Sequence, residues 1–453
     1  MNILKNLLWP EIEELIEKKR WEMLKSVISE WEAPDIADLL TDTPDDRDKI
    51  IIFRILPKDL ASDVFSEIDF EDQMIILQKM SDQQVKEVLL DLEPDDRTTL
   101  FEELPGKILQ KYLNMLPKDE RREALGLLGY PDNSVGRLMT PNYLAVRPDW
   151  TVKDALAHIK QIGPDRETIN VIYVTDSNWH FLDALMIKKF ILADPKTVVR
   201  DIMDNAFVTL SPSDKQEEAV KLMEHYNLTS IPVVDSENIL VGIVTFDDVM
   251  DVAEEEATVD FHKTAGISPF EQSYLDIGVF PLFSRRVVWL FCLVFVNTIS
   301  GMIISHFEQT ISLCVSLVFF MPLLSSSAGN TGLQASTLVI RSMATENTNF
   351  KNSILIILKD LCVAIMIGLV MGVAVLLLGL LRGNIYVGIS ATVAMILVVI
   401  ISSFLGTILP MILRLLKFDP AVASAPLITS CCDIINVAIY FSVAKWVLES
   451  FSR

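Results

Sequence analysis

Five stretches in the C-terminal part of the chain, roughly residues 286–307, 311–343, 354–381, 385–416 and 420–448, are long and apolar. A bilayer core about 30 Å thick takes about 20 apolar helical residues, so each stretch can cross a membrane. Several exceed that length, which implies tilt or breaks. With the N-terminus inside, Arg285, Arg286, Arg341, Lys351, Lys359, Arg414 and Lys417 fall on the cytoplasmic side, and Arg382, Lys445 and Arg453 fall outside. That asymmetry predicts an N-in, C-out topology. Residues 1–10 show no basic segment followed by an apolar one, so no cleaved signal is expected.

Asp433 sits near the middle of the last stretch, and the nearest cations in sequence, Lys417 and Lys445, lie toward its ends. A charge at mid-bilayer costs at least about 2.5–3.5 kcal/mol on insertion scales, and such residues usually face a cavity or an ion path. Pro426, Thr429, Asp433, Asn436 and Tyr440 follow steps of three and four, which is one face of a helix. Cys431 and Cys432 flank the acid but diverge from its face, so they are expected to pack rather than to bind a soft metal. One carboxylate with hydroxyls and water suits a hard cation such as magnesium. Two copies of Asp433 about a dimer axis would supply a pair.

The second stretch carries Pro322-Leu-Leu-Ser-Ser-Ser-Ala-Gly-Asn-Thr-Gly-Leu-Gln334 in place of smooth hydrocarbon. Proline removes a helix hydrogen bond, and Gly329 and Gly332 permit close approach or unusual dihedrals. Ser325–Ser327, Asn330, Thr331 and Gln334 add polar side chains. Polar or non-helical backbone at this depth is tolerated beside protein or water. A small-residue packing seam explains the glycines. Pore lining explains Asn330 and Gln334 as well.

The rest of the chain is water-soluble and acidic. Residues 281–453 hold 10 of the 39 basic and 6 of the 61 acidic side chains, which leaves 29 and 55 before them. Such a balance argues against nucleic acid and anionic lipid and for cationic partners. All five cysteines lie in the apolar part, so the soluble part has neither disulfides nor a thiolate zinc site.

Residues 1–130 read as an all-helical superhelix. Pro44-Asp-Asp-Arg47 recurs as Pro94-Asp-Asp-Arg97, and Leu56-Pro57, Leu104-Pro105 and Leu116-Pro117 recur as stops. Prolines followed by acids are helix-start chemistry. Residues 135–252 contain two similar modules of strand, helix, strand, strand, helix, with 172–176 matching 231–235 and 181–190 matching 240–249. The second module ends Gly242-Ile-Val-Thr245-Phe-Asp-Asp248, where Thr245 and Asp248 either hold a nucleotide or cap the next helix. An acidic helix follows over 247–262, with Asp247, Asp248, Asp251, Glu254, Glu255, Glu256 and Asp260. Like charges packed closely repel, and divalent cations can bridge them.

These parts in this order resemble the MgtE family of magnesium channels. The resemblance rests on 322–334, on Asp419-Pro-Ala421, Pro426 and Asp433, and on modules similar to a tandem CBS pair. It implies a multidomain fold: an all-α superhelical N domain (1–130), an α+β tandem CBS pair (135–252), a connecting plug helix (247–280) and a five-helix transmembrane domain (284–450). It further implies a homodimer of the bacterial inner membrane that takes up Mg2+ and is not an enzyme. Asp433 would be the pore carboxylate, with Thr429, Gly329, Asn330 and Gly332 around it and Asp419 at the cytoplasmic mouth. Asp95, Asp248, Asp251, Glu256 and Asp260, with Glu255 beside them, would bind regulatory Mg2+. ATP or another adenine nucleotide is the ligand expected at the CBS pair, through Thr245 and Asp248. Val259 stands where the plug often has an acid, and Ala425 where Asn or Gly is common. Other divalent cations (cobalt, manganese, zinc), or a non-conducting CBS sensor, are the alternatives.

Overall fold

The computed structural model describes residues 3–270, 274, 277–345, 350–381, 385–420, 423 and 425–451. Arg382, Ala421 and Arg453 lie outside the described residues. The chain divides into two compact units, Met1–Ala253 and Glu254–Arg453.

The first unit begins with short helices, most of them ten residues long, from Ile3–Glu17 to Lys118–Leu127. The Leu-Pro steps explain their length. Leu56, Leu104 and Leu116 adopt extended backbone (ψ 149°, 135° and 147°), because the proline that follows disfavours a helical residue before it. The same leucines turn inward and are buried. Each helix packs mainly on the one two places along, as in a superhelical stack around one apolar core that includes Phe53, Phe65, Leu89 and Phe101. One of these helices, α1 (Pro94–Glu103), starts on a proline with Asp95 and Asp96 in its first turn.

The two modules follow as expected. In the first, β1 (Ala145–Val146), α2 (Val152–Ile162), β2 (Val171–Thr175), β3 (Phe181–Met186) and α3 (Ile187–Leu192) form a sheet of order β1-β2-β3. In the second, α4 (Gln216–Tyr226), β4 (Ser230–Val234) and β5 (Leu240–Thr245) repeat the pattern, and its opening strand is reduced to a bridge between Leu210 and Val233. Antiparallel pairing of β2 with β3 and of β4 with β5 uses equivalent registers, which makes the modules structural repeats. They pack together through the buried pair Tyr173 Oη and Ser230 Oγ (2.7 Å) and the bridge between His180 and Ile239. The acidic helix covers the expected 247–262 and stops short of the 280 given for the connecting helix. α5 (Phe246–Thr264) begins directly after β5 and runs on as one element, its residues from Glu254 belonging to the second unit.

In the second unit, α6 (Val279–His306), α8 (Phe350–Leu381), α9 (Ile385–Leu415) and α10 (Ala425–Phe451) are long and apolar enough to cross a membrane, α8 from Ser353 and α10 as far as Ser450. The second apolar stretch is not one helix. It divides into a short helix (Glu308–Leu313), a 3-10 segment (Val315–Phe320) and α7 (Met321–Thr345), the fifth long helix. Pro322 accounts for the start of α7, because a proline is accommodated in a first turn and its ring blocks regular helix just upstream; the earlier break is at Cys314, in non-helical backbone. The motif 325–334 is helical throughout, so of the two roles open to Gly329 and Gly332 the structure shows close approach.

The tightest approach is between α7 and α9. A Cβ at Gly406 would overlap the carbonyl oxygen of Gly332, a backbone atom that cannot rotate away. Overpacking typically costs about 1–3 kcal/mol and more against backbone, so Gly406→Ala is expected to destabilise by about 3 kcal/mol or more. Thermal unfolding of the detergent-solubilised protein measures this, and an unchanged melting temperature would contradict the packing described.

Candidate functional site

Two sites emerge, one in each unit. In the membrane unit α7 and α10 meet along their small residues. A Cβ on Gly329 would lie 3.3 Å from Thr429 Cγ2, and one on Gly332 would lie 2.7 Å from Cys432 Sγ and 3.1 Å from Ile428 Cγ2. Cys432 is fully buried there, a packing residue as its position off the acid's face implied. Asp433, the next residue, is half-buried, and the neighbour that reaches its carboxylate is the hydroxyl of Ser325 on α7. Among the described residues no cation forms an ion pair with it. Thr429 Oγ1 donates to the carbonyls of Ala425 (3.0 Å) and Pro426 (3.1 Å), which leaves its lone-pair side for an acceptor role.

The polar face of α10 divides into two kinds of residue. Asn436 is buried and donates from Nδ2 to Ser325 Oγ (2.8 Å), and Tyr440 is buried and donates to the carbonyl of Leu317 (2.8 Å). Both hold α10 to α7 and the segment before it. Of the residues that share this helical face, Thr429 and Asp433 are the ones whose side chains are only partly buried beside α7. Asn330 is exposed on the single chain, with Nδ2 3.4 Å from Ser326 Oγ. Asp419 is tied to α5 by Lys263, Nζ to Oδ2 2.7 Å.

The second site lies in the soluble unit, where the first turn of α1 meets the start of α5. Glu93, Asp95 and Glu167 each bring a carboxylate oxygen to within 4.8 Å of the others. Asp95 is 7 % exposed, and its Oδ1 and Glu167 Oε2 are buried without a hydrogen-bond partner. Burial, then the carboxylates of Asp248, Asp96 and Glu93, hold the Asp95 carboxyl well above the usual range. Burial likewise pushes Asp96 up to about 6 and Asp248 up to about 7, the latter against the favourable hydrogen bond from the Thr245 hydroxyl. Arg97 does not neutralise the group: its guanidinium is turned to Glu123 (2.8 Å) and the Leu89 carbonyl (3.2 Å). Buried carboxylates with unmet oxygens are hard-donor ligands suited to a cation such as magnesium, which commonly takes one or two of them and keeps water.

Three known patterns match the sequence. A family model described as a divalent cation transporter, MgtE, matches residues 321–443, the MgtE intracellular N domain matches 31–133, and a CBS domain matches 199–255. The magnesium transporter MgtE of Bacillus subtilis is 37% identical over 339 residues, 75% of each chain. The chain belongs to the MgtE family of magnesium transporters. The magnesium transporter MgtE of Thermus thermophilus is 36% identical over 351 residues, 75% of this chain and 76% of that one. Among solved structures, the cytosolic domain of the Mg2+ channel MgtE in complex with ATP is similar with a TM-score of 0.51 and 33% identity, covering 53% of this chain and 98% of that chain. The MgtE N domain, the CBS pair and the helical membrane part are thus all present in this chain.

In this MgtE chain, the residues expected to sense magnesium are described within each unit separately. Asp95 and Asp248 come together, Asp251 acts instead on Glu67, and Glu256 and Asp260 lie near Lys263, while Glu255 is exposed. At the start of α5 the hydroxyl and the backbone N–H of Thr245 both donate to the Asp248 carboxylate. Sequence reasoning missed Glu93, Asp96 and Glu167. The first two stand in the very Glu-Pro-Asp-Asp run that reads as a helix start, and Glu167 carries no local signal.

Proposed function

We propose that the chain is one half of a homodimeric channel that admits magnesium into the cytoplasm and is closed from inside by magnesium bound to its acidic soluble part. The observation that carries the proposal is Asp433, a carboxylate well inside the apolar helix α10, with a hydroxyl beside it and no ion pair among the described residues. A second copy about a twofold axis supplies a second Asp433, and Thr429, Asn330 and the backbone at Gly329 and Gly332 line the same seam. Uptake then needs no ATP, because a divalent ion gains about 4.6 kcal/mol at 100 mV inside-negative. The orientation is N-terminus in and C-terminus out across a bacterial plasma membrane.

Closure works by differential affinity. Glu93, Asp95, Glu167 and Asp248 repel one another when bare, and Mg2+ binding favours the arrangement in which they converge. At the other end of α5, Lys263 occupies the Asp419 carboxylate that an ion would otherwise meet at the cytoplasmic mouth. Lys263→Met is expected to raise flux at high internal magnesium about fivefold, the effect of a part-exposed ion pair worth about 1 kcal/mol. Unchanged inhibition in that variant would remove Lys263 from the gate. An adenine nucleotide, ATP included, is the ligand assigned to the CBS pair, by carry-over from the similar ATP-bound structure.

The decisive experiment is magnesium flux into liposomes holding the purified chain, with internal magnesium varied. Flux that falls as internal magnesium rises supports the reading, and absence of flux at low internal magnesium overturns it. The broader description of the matching family, divalent cations, favours one second reading, transport of cobalt or manganese. Competition in the same assay separates the two.

A further inference from the structure

Asp360 lies on α8, seven residues in from Ser353, about 10 Å along the helix axis. It is the one carboxylate of that apolar span, and among the described residues its side chain pairs with no cation and takes no hydrogen bond from its own helix. Its Oδ2 accepts hydrogen bonds from both Ser403 Oγ and Thr407 Oγ1 of α9, each at 2.7 Å. Both donors are buried, at 3 % and 1 % exposure. Their behaviour departs from that of their neighbours. Ser327, Thr331, Ser390 and Thr392 all donate to the carbonyl four residues back in their own helix. Ser403 and Thr407 give up that local bond and reach across to a carboxylate, a shorter and stronger acceptor.

Two donors four residues apart on one face, held by one oxygen, fix the rotation of α9 about its axis. The residues just before them, Ser402 and Gly406, lie about 100° round the helix. Those are the positions where α9 meets the pore-lining motif: Gly406 faces the Gly332 carbonyl, and the Ser402 carbonyl would lie 3.2 Å from a Cβ on Gly332. Gly332 in turn abuts Cys432, the neighbour of Asp433. We infer that Asp360 is a positioning residue for transport, setting α9 through Ser403 and Thr407 so that the α7–α10 seam presents Asp433 in its ion-binding geometry. The inference rests on the reading of Asp433 as the ion ligand.

The test is flux per inserted protein as a function of external magnesium in liposomes. Asp360→Ala is expected to raise the half-saturating magnesium concentration about tenfold, and Asp360→Asn, whose carboxamide oxygen still accepts both hydroxyls, to restore it to within about twofold. Ser403→Ala with Thr407→Val should reproduce the Asp360→Ala shift and add nothing to it when combined. A clamp needed only for stability predicts less protein inserted and an unchanged half-saturation point, and that result overturns the inference. So does an Asp360→Asn variant as impaired as Asp360→Ala, which would mean that charge rather than hydrogen-bond acceptance matters. Where Asp360→Ala fails to fold, Thr407→Val alone, which keeps one donor, is expected to shift half-saturation about threefold, and no shift overturns the inference. Asp433→Asn measured alongside keeps the two ideas apart: wild-type flux there sinks the pore reading, whereas the Asp360 comparison is decided by its own variants.

Discussion

Replacing Asp433 by alanine is expected to lower magnesium flux at least about a hundredfold, since a carboxylate kept at that depth costs about 2.5–3.5 kcal/mol and the ion that compensates it recovers a comparable amount. Asp433→Asn keeps the shape and the contact with Ser325 but removes the charge, and should lose nearly as much. Asp433→Glu keeps the charge and displaces it by one methylene, so flux should stay within about tenfold of wild type. The measurement is initial-rate uptake with purified protein at matched amounts. An asparagine variant that conducts normally would reduce Asp433 to a packing residue and remove the basis of the proposed pore.

The second large effect concerns the acidic cluster of the soluble unit. Asp95→Asn with Asp248→Asn relieves the repulsion without any ion, so the soluble part is expected to resist protease in the absence of magnesium, with magnesium then adding little. The same state is reached by protons. Asp95, Asp96 and Asp248 all have carboxyls raised first by burial and then by neighbouring carboxylates, with Asp96 at about 6 and Asp248 at about 7. Glu93, Glu67 and Asp247 face the same space. A raised carboxyl stabilises the converged arrangement fully below its unfolded value of about 4 and loses that contribution as pH rises through about 6 to 7. Moving one carboxyl from 3.8 to about 7 corresponds to roughly 4 kcal/mol of lost preference for the charged form. Limited proteolysis of the full chain should therefore show strong magnesium protection at about pH 8 and little added protection at about pH 5. Equal magnesium protection at both values would contradict the repulsion account.

Much of this architecture is legible in the residues. The Leu-Pro stops of the N-terminal helices announce themselves because proline acts on its immediate predecessor, a local effect. The two modules declare themselves by repetition, and Asp433 by contrast with its apolar surroundings. What escaped reading depends on residues far apart in sequence. Glu167 joins Glu93 and Asp95 only through the packing of the first module on the helical stack. Asn436 and Tyr440 share a helical face with Asp433, yet α7 and the 3-10 segment before it cover them and leave the acid half-buried. Asp360 sits within the third apolar stretch beside Lys359, where a charge near a span's end invites no comment until Ser403 and Thr407 are seen to hold it.

The contact of Gly406 with Gly332 restricts how such an assembly can open. Peptide touches peptide there with no side chain between, and lipid supplies no hydrophobic force to push the helices together. A gap of half to one ångström already forfeits a quarter to a half of each atomic attraction, so the two helices behave as a latch and not as a spring. Widening the conduit by parting them would cost much for a small gain in radius. In the proposed channel, control of ion passage would therefore cost less at an entrance, by moving a stopper in and out, than by breathing of the walls.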